Sequence, residues 1–152
     1  MTNCGRPYLI AAGSASAAIG VLHLVCIAIG GPAYRYFGAG ERLAQRAEAG
    51  SLQPAAITLV FAAAFFVLAA YGLSGAGAIR RLPLLRTALV ASAAVYLLRG
   101  LFVVPEVLAV TGGRAIPPHF VVFSLVFLAV GLCYALGTIG SWGRLKPTPP
   151  SP

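Results

Sequence analysis

Two ionisable residues interrupt long apolar stretches of this sequence. His23 lies in "GVLHLVCIAI" and Arg99 lies in "YLLRGLFVV". A charged side chain at the centre of a membrane-spanning helix costs ~2.5–3.5 kcal/mol, so it usually has a compensating partner or a function. Histidine titrates near neutral pH, and the guanidinium of arginine is a permanent positive charge that binds carboxylate and phosphate groups. These two residue types predict recognition of an anion.

The spacing places both residues at one depth. His23 is fifteen residues after Tyr8, where the first apolar run begins, and Arg99 follows the start of the third run at Leu84 by the same interval. At 1.5 Å per residue, this puts both about 22 Å from the predicted cytoplasmic boundary. Glu106 follows Arg99 by seven residues, on the same helical face. We therefore expect His23 and Arg99 to form the floor of a polar pocket that opens outward.

The other members of the predicted site come from the same outer side. The candidate ligand-binding residues are His23, Arg99, Glu106, Tyr96, His119, Tyr34, Arg35 and Glu41. Arg99 is expected to supply the fixed positive charge, His23 a donor or titratable group, and Glu106 the counter-charge while the pocket is empty. Pro105 has no N–H for the Leu101 carbonyl, which predicts a bend and an unpaired acceptor near Arg99.

These residues also have purely structural interpretations. Arg99 is close enough to the outer boundary to extend its side chain to the lipid headgroups, and its spacing also allows a pair with Glu106. His23 lies among small residues at helical spacing, which is typical of a hydrogen bond across a helix interface. His119 as an interfacial cap and Glu41 on a solvated helix need no ligand. The sequence does not decide between the two interpretations.

No motif for covalent, metal or redox chemistry accompanies these residues. The sequence has no HExxH, no Gly-x-Ser-x-Gly, no phosphate-binding loop and no CxxC pair. Its histidines and glutamates lack i, i+3 or i, i+4 ligand spacing, and Cys4, Cys26 and Cys133 lack zinc spacing. We therefore predict no catalytic residue, no metal and no cofactor, which argues against an enzyme without excluding one.

The composition indicates that membrane helices position these residues. Of 152 residues, 59% are hydrophobic and 9% are charged, and the mean hydropathy is +0.90, whereas about a quarter of the residues in a soluble domain are charged. The net charge of +8 comes from basic residues in short stretches between apolar runs, without interleaved aromatics. This distribution argues against a nucleic-acid partner and favours anionic lipid headgroups.

Four apolar runs are long enough to cross a membrane, at 8–30, 55–73, 84–104 and 120–139. We predict an all-α fold: an integral membrane four-helix bundle that forms one domain over 1–142, with a short interfacial helix between helices one and two. The stretch "ERLAQRAEA" carries that short helix. The proline-rich residues 143–152 are predicted to be a disordered cytoplasmic tail.

The basic residues predict the orientation of the spans. One side of the membrane has Arg6, Arg80, Arg81, Arg86, Arg144 and Lys146, and the other has Arg35, Arg42, Arg46 and Arg114. The positive-inside rule then places both termini in the cytoplasm, with membrane lipids, including anionic headgroups, at Arg80, Arg81 and Arg86. Arginine-rich, lysine-poor usage is typical of high-GC bacterial genomes, so we expect a multi-pass protein of the bacterial inner membrane.

Three functions are compatible with these patterns. The leading hypothesis is that the protein binds a small anionic or amphipathic molecule through an outward-facing polar pocket, with transport of that molecule as its extension. The second is a non-catalytic accessory or assembly subunit of a larger membrane complex. The third is a membrane enzyme that uses histidine and glutamate for acid–base chemistry. A homo-oligomer and a larger complex both stay open as assemblies.

Overall fold

A computed structural model describes residues 4–145. These residues form seven helical segments and no strand. The segments are α1 (Arg6–Ile29), α2 (Gly31–Tyr36), α3 (Glu41–Glu48), α4 (Gln53–Gly75), α5 (Leu85–Gly100), α6 (Val103–Thr111) and α7 (Pro118–Ser141). The predicted all-α class and the short helix at α3 are confirmed. The predicted disordered tail lies outside the described residues from position 146 onward.

Four helical stretches are long and apolar enough to cross a membrane: α1, α4, α5 with α6, and α7. Large apolar side chains such as Val60, Leu98 and Ile139 lie on the outside of the bundle and are mostly exposed. Serines and tyrosines fill much of the interior. Because this arrangement suits a lipid solvent, the chain is a multi-pass membrane protein built as a helical bundle.

The four spans are arranged so that α1 and α5 lie diagonally. Helix α1 packs on α4 and α7, and α5 packs on α7 and α4. Glycine allows close backbone approach in both main interfaces. A Cβ added at Gly72 of α4 would lie 2.9 Å from Cα of Gly13 in α1, and one added at Gly100 of α5 would lie 2.5 Å from Cα of Leu128 in α7.

Proline and glycine set the boundaries of several helices. Pro7, Pro32, Pro54 and Pro118 each occupy the first turn of a helix, where the missing N–H costs nothing. Gly30, with φ of 76°, ends α1 and directs the chain into α2. Helix α2 was not predicted, because its six residues are too few to show a helical pattern.

The third span is interrupted at Leu101 and Phe102, between α5 and α6. The bend expected from Pro105 is therefore present. The expectation of an unpaired Leu101 carbonyl is wrong, because that oxygen accepts a hydrogen bond from the Val104 N–H at 3.0 Å. A tighter turn replaces the bond that proline removes. Helix α6 then continues to Thr111, beyond the predicted end of the span at residue 104.

The two ends of the bundle differ. The end that carries α2, α3 and the connection between α6 and α7 is called the α2–α3 end. The opposite end carries the start of α1, the connection between α4 and α5, and the end of α7, and is called the terminal end. The orientation of these ends in a membrane stays a prediction.

Candidate functional site

A buried hydrogen-bond network joins all four spans at the centre of the bundle. Tyr96 of α5 donates its hydroxyl to Ser16 Oγ of α1 at 2.8 Å, and Ser16 Oγ lies 2.9 Å from the Tyr134 hydroxyl of α7. Tyr134 in turn donates to the Leu68 carbonyl of α4 at 2.8 Å. Ser16, Tyr96 and Tyr134 are 0% exposed. Tyr96, a predicted ligand residue, is thus placed in the core.

Gly72 makes room for this network. A Cβ at Gly72 would lie 3.0 Å from the Tyr134 hydroxyl oxygen. The absence of a side chain lets Tyr134 reach the carbonyl of Leu68 one turn earlier in α4. The rings of Tyr96 and Tyr134 also stack, with centroids 5.5 Å apart. The sequence analysis did not identify Tyr134 or the bonding role of Ser16, although a serine on a glycine-rich helix face was a usable signal.

Arg99 is directed into the bundle, toward α7. Its Nη1 donates to the Ser124 hydroxyl at 2.9 Å, and Ser124 is 0% exposed. Its Cζ atom lies 5.2 Å from the ring centroid of Phe127 and 5.6 Å from that of Phe102. Among residues 4–145, no carboxylate forms an ion pair with Arg99. The guanidinium therefore has a hydroxyl and two aromatic rings as neighbours and keeps its full positive charge.

His23 packs on α4. Its Nδ1 lies 2.8 Å from the Ile19 carbonyl of its own helix, so that nitrogen carries the proton. Its ring centroid is 4.9 Å from that of Phe65 and 6.3 Å from that of Phe61. With Nδ1 as the donor, Nε2 of a neutral ring is left as an acceptor. His23 is partly exposed.

The structure does not bring His23 and Arg99 into contact. They belong to the diagonal helices α1 and α5. Aromatic rings connect them instead: His23 lies against Phe65, the centroids of Phe65 and Phe127 are 6.1 Å apart, and Arg99 lies over Phe127. The shared pocket floor expected from equal depth is therefore an aromatic layer with one ionisable group on either side.

Glu106 is partly buried on α6 and does not pair with Arg99. Its Oε2 atom is buried and has no hydrogen-bond partner among the described residues. Helix α6 packs on α7. The break at Leu101 and Phe102 changes the helical register between Arg99 and Glu106, so spacing of seven residues no longer places them on one face. The expected counter-charge contact is absent from this structure.

An ion-pair cluster fixes α3 against α2. Arg35 bonds both oxygens of Glu41 at 2.9 Å and both oxygens of Glu48 at 2.5 and 3.0 Å. The hydrogen bonds from Arg35 lower the pKa of Glu41 and of Glu48, and the two carboxylates raise the pKa of Arg35. All three side chains are exposed. Arg35 and Glu41, both predicted ligand residues, thus bind each other, and Glu48 completes the cluster.

Aromatic and polar contacts attach α2 to the spans. The Thr58 hydroxyl of α4 lies 3.3 Å from the buried Tyr34 hydroxyl. Tyr36 stacks on His119 at the start of α7, with centroids 4.5 Å apart. Phe37 stacks on Phe123, also of α7, at 5.4 Å. Tyr34 and His119 therefore anchor α2 between α4 and α7 at the α2–α3 end, where the sequence predicts a lid.

Within the described part of the chain, no group of three His, Cys, Asp or Glu side chains is placed to hold a metal ion. Comparison of the chain with protein-family models, curated proteins and solved structures finds no match. A multi-pass helical membrane protein is the class that the fold defines. Any function must therefore be argued from the geometry of the charged and polar side chains.

Proposed function

We propose that the protein binds a small anionic or amphipathic molecule between α5, α6 and α7 in the half of the bundle near the α2–α3 end. The single observation that supports this proposal is the position of Arg99. A permanent positive charge points to a buried hydroxyl within a membrane span, and no described carboxylate neutralises it. Such a group is a ready site for a carboxylate or phosphate.

The contacts of Arg99 argue against the structural alternatives. A side chain that extends to the headgroups leaves the bundle, whereas Arg99 reaches Ser124, which is fully buried. A structural pair with Glu106 requires contact between guanidinium and carboxylate, and no such ion pair is formed. The guanidinium has five N–H groups, of which one makes a described hydrogen bond. Donors therefore remain for a bound anion.

The surroundings of Arg99 suit an amphipathic ligand. Phe102 and Phe127 flank the guanidinium, and Phe127 continues into the aromatic layer with Phe65. An anionic head on Arg99 would leave an apolar tail against these rings. The buried, unpartnered Oε2 of Glu106 marks a second polar position on the same side of the bundle. His23, on the far side of the aromatic layer, is assigned no direct contact with the ligand head.

Octanoate and octanol provide a matched test, because they share a chain length and differ in charge. The protein in phosphatidylcholine nanodiscs is expected to bind octanoate more tightly than octanol, by native mass spectrometry or calorimetry. Arg99→Leu should weaken octanoate binding by at least tenfold, equivalent to ~1.4 kcal/mol and typical of a hydrogen bond to a charged group. Arg114→Leu, an exposed arginine of the connection between α6 and α7, is the control and should leave binding unchanged.

Two results would contradict the proposal. One is equal binding of octanoate and octanol by the wild-type protein. The other is unchanged octanoate binding in an Arg99→Leu variant whose unfolding midpoint matches that of wild type. A variant that unfolds more easily and keeps its octanoate affinity would assign Arg99 a structural role.

A second candidate function, an accessory subunit of a larger membrane complex, is favoured by the exposure of α6. No residue of α6 is fully buried, although the helix continues a membrane span. Leu108 is 65% exposed on it. Mild detergent extraction followed by affinity purification tests this function, since a stoichiometric membrane partner lost on Leu108→Arg would support it. Purification of the chain alone would argue against it.

A further inference from the structure

Two adjoining cavities lie at the terminal end of the bundle, between the end of α4, the start of α5 and the end of α7. The larger has a volume of about 620 Å³ and the smaller about 190 Å³. Arg81, Leu85 and Leu145 line both cavities. Arg86 also lines the larger cavity, and Arg144 lines the smaller. The two cavities together are called the arginine groove.

Neutral groups hold the guanidinium groups of the groove in place. Arg86 lies over the Trp142 ring, with Cζ 4.5 Å from the centroid, and its Nη2 donates to the Trp142 carbonyl at 2.6 Å. Arg144 donates to the Ser141 hydroxyl at 3.1 Å, and Arg81 donates to the Arg144 carbonyl at 3.2 Å. These contacts orient the three side chains without neutralising them.

The positive charge of the groove is not balanced by acidic residues. Neither Arg86 nor Arg144 forms an ion pair within residues 4–145. The three acidic residues of the sequence are Glu41, Glu48 and Glu106, which lie on α3 and α6, away from the groove. The Nε atom of Arg86 is buried and has no hydrogen-bond partner in the described structure. An acceptor in the groove would satisfy that donor.

The backbone around the groove is fixed before any ligand arrives. The Ser74 hydroxyl donates to the Arg80 carbonyl at 3.0 Å and accepts from the Leu82 N–H at 2.9 Å. This bridge holds the connection between α4 and α5 against the end of α4. Leu84, with φ of 53°, is the one non-glycine residue of the described chain in the left-handed region. A preformed site loses less conformational freedom on binding.

Apolar side chains border the groove on its membrane side. Leu84 is 78% exposed, and Trp142, at the end of α7, is 46% exposed. Tryptophan is enriched at the level of the lipid headgroups, and arginine pairs with phosphate in a fixed geometry. We infer that the arginine groove binds the phosphate of an anionic membrane lipid, with the acyl chains alongside Leu84 and Trp142. This site is independent of the Arg99 site at the other half of the bundle.

Trp142 reports on the groove directly, because it is the only tryptophan of the chain. The full-length protein is reconstituted in phosphatidylcholine that contains either brominated phosphatidylglycerol or the same fraction of brominated phosphatidylcholine. Brominated phosphatidylglycerol should quench Trp142 several-fold more strongly. Arg144→Gln leaves the contact between Arg86 and Trp142 in place and should lower the relative affinity for phosphatidylglycerol about fivefold, the equivalent of ~1 kcal/mol for one basic residue at a membrane surface.

Arg114→Gln at the α2–α3 end is the matched control and should leave quenching unchanged. Equal quenching by the two brominated lipids, or equal losses in Arg144→Gln and Arg114→Gln, would overturn the assignment. Inorganic phosphate separates a lipid from a soluble anion: in detergent without anionic lipid, millimolar phosphate should leave Trp142 emission unchanged. A saturable response to phosphate without preference for phosphatidylglycerol would assign the groove to a soluble anion. The wild-type comparison needs no variant and decides even where a substitution prevents folding.

Discussion

At the scale of single residues, the hydroxyl groups decide how this bundle is held together. Ser16, Tyr96 and Tyr134 bond to one another across helices, and Ser124 holds Arg99. Hydrogen bonds between helices contribute in membranes because helices gain little from the hydrophobic effect there. The sequence shows these residues at helical spacing, but it does not show which hydroxyl meets which partner, because that depends on the rotation of each helix.

Tyr134→Phe is expected to lower the free energy of unfolding by about 1 kcal/mol, because it removes the hydroxyl that bonds both Ser16 and the Leu68 carbonyl. Reversible unfolding in mixed micelles measures the change. Tyr8→Phe, at a ring that is 43% exposed, is the matched control and should be nearly neutral. Equal effects of the two substitutions would mean that the central network adds no stability.

The ionisable residues show the limit of arguments from depth. Equal distance along two spans correctly identified His23 and Arg99 as inward-facing groups near the aromatic layer. It did not fix their separation, because the order of the helices around the bundle is not written in any one helix. The diagonal placement of α1 and α5 inserts Phe65 and Phe127 between them. The partner of Arg99 was missed for the same reason.

At the scale of helices, α2 and α3 form a separate unit that three kinds of contact attach to the spans. The Arg35 cluster closes it, the Thr58 hydroxyl contacts Tyr34, and His119 stacks on Tyr36. Glycine and proline at its ends and the polar stretch within it predicted the helix at α3. The ion pairs were not predictable, because the turn between α2 and α3 sets the distance from Arg35 to Glu41.

Acid is expected to loosen α3. The pKa values of Glu41 and Glu48 are lowered by Arg35, so their ion pairs contribute stability at neutral pH that is lost as the pH falls below the ordinary glutamate value of about 4.3 and through the lowered values. Amide exchange in residues 41–48, corrected for its intrinsic pH dependence, should accelerate between pH 7 and pH 3. The Glu41→Gln, Glu48→Gln double variant should already exchange rapidly at pH 7. Exchange in wild type that stays constant with pH would show that the cluster does not hold α3.

At the scale of the whole molecule, hydropathy predicted the number and approximate positions of the spans. Lipid requires long apolar helices with internally satisfied backbones, so this pattern is strong in the sequence. The extension of the third span through α6 was missed, because Pro105 and Glu106 interrupt the apolar run although the helix resumes after a short turn. Which helices become neighbours depended on glycine contacts that composition does not reveal.

The orientation of the bundle is open to a direct test. The positive-inside rule predicts that both termini are cytoplasmic. A carboxy-terminal fusion to green fluorescent protein should therefore fluoresce in a bacterial host, and a fusion of alkaline phosphatase at that site should be inactive. Alkaline phosphatase inserted at Arg114 should be active. The reverse pattern would place the arginine groove on the external side.

The contrast between interior and exterior determines how this chain tolerates substitution. Its outward surface is Leu, Val, Ile and Phe in contact with lipid, and its centre is Gly, Ser and Tyr in fixed contact. Exchange of one large aliphatic residue for another on the outside alters little, whereas enlargement of an interior glycine or deletion of an interior hydroxyl is felt. A saturation mutagenesis profile of this protein would therefore be the inverse of that of a water-soluble domain, with bulk freely varied where hydrophobicity is highest.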